Sequence, residues 1–319
     1  MGGRCKVLLM TQQAKSDDDR SGVADRTRDV LAQLLEKPLS AGLYVVATPI
    51  GNLGDVTLRA LAVLARADVL YCEDTRHSRT LLAHYAIARP ARAYHEHNAS
   101  RERPRVLAEL QAGRSVALIS DAGTPLVSDP GYKLVREATD AGYPVISLPG
   151  PSALLAGLVA SGLAADAFLF AGFLPPRQSA RRTRLAELKA VPATLVFFEA
   201  PSRLADSLAD IAGVLGEREA AVARELTKLH EEVRRGPVAD LVQWANETGP
   251  KGEVVVLVGP AAAEVATDAV IIARLEPLLA EMSLSDASRS VAEELGVPKG
   301  RAYALGIAMK RGSDDPSGC

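Results

Sequence analysis

Cysteine is scarce in this 319-residue chain: Cys5, Cys72 and Cys319 lie far apart and form no CxxC pair. That spacing argues against both a zinc cluster and a disulfide framework. No apolar run reaches the ~18 residues of a membrane span. The N-terminus also lacks the basic, apolar and small-residue order of a secretory signal, so the cytoplasm is the expected location. No GxxxxGK[ST] loop is present to cradle a phosphate, and no GxGxxG follows the first strand. An excess of basic charge is missing too: 37 Lys and Arg face 39 Asp and Glu, for a net charge of −2. Counterion release drives nucleic-acid binding by bulk charge, so any RNA contact here has to come from local patches. Aromatics make up only 4% of the chain, which leaves an aliphatic core of helices on a sheet.

What is there is organised in blocks. Residues 1–42 read as an extension, whose run from Lys15 to Gly22 is too polar to offset its ordering entropy and is expected to be disordered. A short helix is predicted from about Val23 to Lys37, stopped by Pro38. From Leu43 to 152, the strands Leu43–Ala47, Val69–Cys72, Ser115–Ile119 and Val145–Leu148 alternate with helices near Val56–Ala67, Arg103–Ala112 and Tyr132–Ala141. That alternation predicts βαβ units and a mostly parallel sheet. A second α/β domain, 153–260, is expected from strands at Ala167–Gly172, Ala193–Phe198, Ala220–Arg224, Glu231–Arg234 and Glu253–Val258, with helices near Ala180–Lys189, Arg203–Leu215 and Val238–Ala245. The tail, 261–319, reads as helical. In it, Ser285–Leu295 and Lys299–Lys310 flank Gly296-Val297-Pro298, a pattern shared by a helix-turn-helix and by a plain helical cap.

Three strand ends carry loops rich in Gly, Pro, Ser and Asp. Thr48-Pro49-Ile50-Gly51-Asn52-Leu53-Gly54-Asp55 is the first, Ser120 to Gly131 the second, and Pro149-Gly150-Pro151-Ser152-Ala153 the third. Each alone reads equally well as turn chemistry, but in open α/β sheets ligands gather outside the carboxyl ends of strands. Carboxylates in the second loop suit a cationic or hydroxyl-rich ligand better than a phosphate. S-adenosylmethionine answers that description: it carries a sulfonium, an amine, a ribose and an adenine, but no phosphate.

The segments ATPIGNLGD (47–55), EDTRHSR (73–79), HEHN (95–98), SDAGTPLVSDPG (120–131) and LPGPSA (148–153) form one set with GFLP (172–175), FFEAPSR (197–203), ARELTKLHEE (223–232) and KGE (251–253). Together they resemble the tetrapyrrole methylase superfamily, in the branch that acts on ribosomal RNA rather than on corrinoids or porphyrins. The resemblance covers about 43–260, and the helical tail is similar to that branch's C-terminal domain. It implies two α/β domains with S-adenosylmethionine in the cleft between them, a homodimer, and 2′-O-methylation of a cytidine ribose in 16S rRNA within the small ribosomal subunit. Carried over by motif, the cofactor loops supply Pro49, Asp121, Gly123, Thr124, Ser152 and Ala153 from the first domain. The second supplies Phe198, Pro201, Glu225, Leu226 and Gly252.

Transfer to a ribose hydroxyl needs no metal, but a base within hydrogen-bond reach would accelerate it by about 10²–10⁴. Asp74, His97 and Lys228 are the catalytic candidates. Asp74 follows a strand that ends among the cofactor loops, although an Asp74–Arg76 pair pinning the loop reads equally well. His95 and His97 alternate on a segment expected to be extended; a metal pair there lacks a third ligand, leaving RNA contact or loop packing. Lys228 reads as an orienting or phosphate-binding cation, or as a surface lysine. For RNA, the candidates are Arg76 and the cluster Arg177, Arg181 and Arg182 with Arg184, beside a smaller group at Arg101, Arg103 and Arg105; a solvated helix face is the alternative. The runner-up function is methylation of a tetrapyrrole or corrinoid small molecule. A non-enzymatic nucleoside-binding or ribosome-assembly module would leave the cofactor loops without a purpose.

Overall fold

A computed structural model describes residues 21–261 and 267–313. The chain divides into two units after Pro260. The polar run before Ser21 lies outside the described residues. Residues 21–36 form helix α1, which ends before Pro38, a residue whose ring and missing N–H cannot continue it.

The first unit holds two sheets. Sheet one consists of β1 (Gly42–Val46), β2 (Val69–Cys72), β3 (Ala91–Ala93), β4 (Ser115–Ile119) and β5 (Val145–Leu148), in the order β3-β2-β4-β1-β5. All its pairings are parallel. Helices α2 (Leu58–Arg66), α3 (Thr75–His84), α4 (Ala99–Gln111) and α5 (Tyr132–Asp140) connect these strands. Tyr44, Val46, Leu70 and Ile119 pack with Leu64 of α2 and Leu81 of α3. On the opposite face Leu43, Tyr71, Val116 and Leu118 meet Val106 of α4 and Leu134 of α5. Both faces of β1, β2 and β4 are therefore buried, which is why those strands read as unbroken apolar runs.

Sheet two is built from β6 (Phe168–Phe173), β7 (Thr194–Glu199), β8 (Glu219–Arg224), β9 (Glu232–Pro237) and β10 (Val254–Val258), in the order β6-β7-β10-β8-β9. Only β6 and β7 are parallel; β10 runs antiparallel to both β7 and β8, and β8 to β9. Helix α6 (Ala153–Ser161) covers one face, with Leu158 against Val196, Ala221 and Val255. Helices α7 (Gln178–Leu188), α8 (Leu204–Leu215) and α9 (Val238–Thr248) supply Leu185, Leu208 and Leu241 to a second core on the other.

The second unit consists of α10 (Asp268–Glu281), α11 (Leu284–Leu295) and α12 (Lys299–Ser313). Ile271, Leu275, Ala287, Val291, Val297 and Ala302 form its core. Ser283 caps α11 by accepting from the Asp286 N–H, and Gly296, at φ 63°, ends it in the left-handed conformation that glycine adopts without strain.

Several boundaries differ from expectation. Helix α3 and the short β3 had no counterpart in the sequence reading; α3 opens on Thr75-Arg76-His77-Ser78-Arg79-Thr80, so its apolar stripe is confined to its last turns. Helix α4 begins at Ala99 and carries Pro104 inside it. The segment holding His95 and His97 is not extended, for Glu96–Asn98 form a turn that leads into α4.

Candidate active site

The three Gly- and Pro-rich loops follow β1, β4 and β5, which are neighbours in sheet one, so sequence-distant segments leave the sheet side by side. Backbone bonds then join them. Thr48 N–H donates to Gly123 O (2.8 Å) and Gly123 N–H to Thr48 O (2.9 Å). Thr124 Oγ1 donates to Pro151 O (3.3 Å). Ser152 caps α6, accepting from Leu155 N–H.

Sheet two brings its own strand ends to the same place. Because β10 is antiparallel to β7 and β8, its start lies beside their ends: Val254 pairs with Glu199 on one side and Arg224 on the other. The segments Phe198–Pro201, Glu225–Lys228 and Gly252–Val255 therefore share one edge. Asn52 N–H donates to Thr227 Oγ1 (3.1 Å) across the two sheets. Ile50 enters the apolar cluster of Leu158, Leu226 and Val255. Gly51 is required here, since a Cβ on it would run into the Lys228 side chain. Glu225 and Thr227 hold positive φ, 51° and 66°, backbone strain of the kind that collects at functional loops.

A cavity of about 430 Å³ opens between these edges. Its first-sheet wall includes Asp121, Gly123, Thr124, Ser152 and Ala153; its second-sheet wall includes Phe198, Pro201, Leu226, Gly252 and Val255. Nine of the eleven cofactor candidates thus line one space. Pro49 lines an adjoining cavity instead. Glu225 stands behind Gly252, its Oε1 accepting from Glu253 N–H (2.9 Å) and Lys228 Nζ (3.0 Å); its role is to shape the turn rather than to line the cavity.

The lining contains Glu73, Asp121, Asp129, Glu199 and Glu253, and neither lysine nor arginine. Glu199 is already committed, accepting from Ser207 Oγ and Ala200 N–H and pairing with Arg203. Burial pushes the Glu73 carboxyl above its usual range, and the nearby Asp129 and Asp121 push it further. Burial likewise raises Asp129, with Asp121 adding to it and the Ser120 hydroxyl opposing it. Such a space repels phosphate and attracts a cation. Its other side is apolar: Phe198 stacks edge-on with Phe173 (5.8 Å) and Phe170 (4.8 Å).

The adjoining cavity, about 310 Å³, shares Ile50, Asp121, Ala122 and Glu253 with the first and adds Pro49, Gly51, His77, Ser78 and Lys228. Ser78 Oγ is buried, with the Cys72 thiol beside it. Lys228 Nζ sits between Glu225 Oε1 (3.0 Å) and Glu253 Oε2 (3.1 Å). Burial lowers its pKa, but the two carboxylates outweigh this and raise it overall. Lys228 is therefore a fixed ammonium, suited to orienting an acceptor and unsuited to taking a proton.

Two further candidates need correction. Asp74 is the N-cap of α3; its oxygens accept from Arg76 N–H (2.8 Å) and from Arg76 Nε and Nη2 (3.1 and 2.6 Å). Those bonds hold its carboxyl far below the usual range, so it is a poor proton acceptor and pins the turn. His97 is exposed in the turn before α4, its ring 6.0 Å from that of His95, and it lines neither cavity. Among the arginines, Arg181 is 3% exposed and its Nε donates to Asp210 Oδ2 (2.7 Å). It ties α7 to α8 and is withdrawn from any RNA surface. Arg76, Arg177 and Arg182 are exposed.

The sequence reading missed His77, Glu73 and Asp129 as site residues. All three stand inside the motifs named above, but Glu73 and Asp129 meet only where β2 and β4 end together, and His77 depends on α3 starting at Thr75, which turns it toward Asp121 (Nδ1···Oδ2 3.2 Å).

Residues 42–242 match the family described as Tetrapyrrole (Corrin/Porphyrin) Methylases. The chain belongs to that family. Residues 265–310 match the RsmI C-terminal HTH domain. The chain is similar to the ribosomal RNA small subunit methyltransferase I of Mesorhizobium japonicum, 56% identical over 284 residues, covering 88% of this chain and 97% of that protein. The Pseudomonas aeruginosa protein of the same name is 48% identical over 272 residues, covering 83% and 96%. Among solved structures, uroporphyrin-III-C-methyltransferase from Thermus thermophilus matches with a TM-score of 0.51 and 25% identity over 69% of this chain and 94% of that one. Diphthine synthase, at 15% identity and a TM-score of 0.55 over 68% and 89%, shares the fold. Methylases of this family use S-adenosylmethionine, and the cavity offers acidic and apolar surfaces with neither lysine nor arginine.

Proposed function

We propose that this chain transfers a methyl group from S-adenosylmethionine to the 2′-oxygen of a cytidine ribose in the 16S RNA of the small ribosomal subunit. The observation that carries the reading is a pair of cavities meeting at Asp121 and Glu253, one lined by carboxylates with neither lysine nor arginine, the other carrying His77 and Lys228. The bound cofactor supplies an electrophilic methyl on a sulfonium, which leaves as a neutral thioether. The chain's part is to hold that cation and place the hydroxyl beside it, and positioning of this kind is worth several kcal/mol. Lys228 faces the acceptor side. RNA phosphates are held locally by Arg76, Arg177 and Arg182, and the three-helix tail serves as a further docking element. The same reading places the protein in the cytoplasm with its ribosomal substrate.

A homodimer is the proposed assembly, with Leu155 and Val159, one turn apart on α6 and 50% and 81% exposed, as apolar side chains that a second copy covers. Sedimentation equilibrium giving a monomer at micromolar concentration ends that part of the reading.

Small subunits lacking the modification, incubated with the protein and methyl-labelled cofactor, should take up label at a cytidine 2′-oxygen. A chain ending at Pro260 should bind cofactor but label RNA poorly. Label only on a corrinoid or porphyrin in a parallel reaction would overturn the RNA reading in favour of the small-molecule one.

The raised carboxylates give a pH prediction. Folded, Glu73 and Asp129 keep their protons to higher pH than when unfolded. Unfolding stability of the free protein therefore falls as pH rises from the ordinary carboxylate range through the raised one. A bound cation favours the ionised forms, so cofactor binding expels protons in that interval and affinity climbs with pH, by at most about tenfold per unit for each coupled proton. Calorimetry within that interval, in two buffers of different ionisation heat, should detect the release, and Glu73→Gln should reduce it. Affinity independent of pH across that interval would remove these groups from the cation's surroundings.

A further inference from the structure

We propose that His77, held by Asp121, accepts the proton of the hydroxyl that is methylated; this rests on the RNA-methylation reading above. The group sits in the first turn of α3 and lines the second cavity, whose wall at Asp121 is shared with the cofactor cavity. Asp121 is itself fixed: its Oδ1 accepts from Asp74 N–H (2.9 Å), which turns Oδ2 toward His77 Nδ1 at 3.2 Å. A carboxylate only accepts, so Nδ1 carries the hydrogen, and in the neutral ring Nε2 has the lone pair. A neutral imidazole oriented by a carboxylate in this way is a general base, with the partner also stabilising the imidazolium that forms.

The other titratable groups of that cavity are excluded by their bonds. Lys228 stays protonated between Glu225 and Glu253, and Glu253 is its partner. Asp121 is spent on His77 and the Asp74 backbone. Asp74, just outside that cavity, is locked by Arg76. In the step, the ribose O2′–H bond breaks as the O2′–methyl bond forms and the methyl–sulfur bond breaks. The proton goes to His77 Nε2, the bonding electron pair goes to sulfur as the thioether leaves, and the imidazolium afterwards releases its proton to water. His77 is 71% exposed through its side chain, so both RNA and solvent reach it.

The test is single-turnover methylation of unmodified small subunits at saturating cofactor, followed against pH. His77→Ala should fall about 100-fold or more, lose the acid limb of the wild-type profile, regain rate when imidazole is added, and keep cofactor affinity within about threefold. His77→Gln, which preserves a donor to Asp121 but takes no proton, should be equally slow. A His77→Gln rate near wild type, or a His77→Ala rate within about threefold of it with the acid limb intact, overturns the assignment while leaving the RNA reading in place. No RNA label from the wild-type protein overturns both.

Discussion

Asp210→Ala should destabilise the first unit by about 3–5 kcal/mol, because it strands a buried guanidinium. Arg181 and Asp210 side chains are 4% and 5% exposed, 2.7 Å apart, with Gln178 Nε2 adding a bond to Asp210 Oδ1 at 3.3 Å. Among the described residues the remaining hydrogen bond of Arg181 is to the Pro176 carbonyl at 3.4 Å, which carries no charge to neutralise it. Urea denaturation should show the midpoint falling with an unchanged slope, since the folded surface is the same. The double variant Arg181→Met, Asp210→Leu should recover most of the loss, because removing both charges removes the desolvation cost along with the attraction. A loss below about 1 kcal/mol in the single variant would mean that water reaches the pair, and Arg181 would return to the list of surface cations.

The second large effect belongs to the KGE turn. Gly252→Val should weaken S-adenosylmethionine binding about 100-fold, equivalent to roughly 3 kcal/mol. Gly252 has φ 92° and lines the cofactor cavity, and a Cβ placed on it would strike the Glu225 carboxylate. Glu225 would then lose its bond to Glu253 N–H and its grip on Lys228, so one substitution disturbs both cavities. The fold should survive with a penalty of about 1–3 kcal/mol from the strained backbone. Isothermal titration alongside thermal unfolding separates the two effects. Cofactor affinity within about threefold of wild type would reduce the turn to a connection between α9 and β10.

Much of this was legible in the residues themselves. Burial on both faces leaves Ser115, which bonds Asp68, as the one small polar residue in β1, β2 and β4, so the composition of a strand such as Val-Leu-Tyr-Cys identifies it without its neighbours. The cavity-lining loops were legible for a related reason: a concave site at strand ends demands Gly, Pro and small polar residues, and Gly123, Thr124, Ser152 and Ala153 all line the cavity. Helix α3 was hidden, since Thr75 to Thr80 offers no apolar period and its start depends on the Asp74 cap. Arg181 and Arg182 looked alike in sequence. Their positions on α7 send one under α8 and leave the other in solvent, and only the packing of two helices decides that.

The sequence alone determined most of the strand and helix alternation, the three Gly- and Pro-rich loops and the acidic residues they bring to the cavity, because these are properties of local composition. The tertiary structure decided which groups meet. It set β10 antiparallel between β7 and β8, so that the ends of two strands and the start of a third share one edge. It also set His77 against Asp121 across 44 residues of chain. Pairings of that kind depend on strand order and helix phase, which no stretch of neighbouring residues encodes.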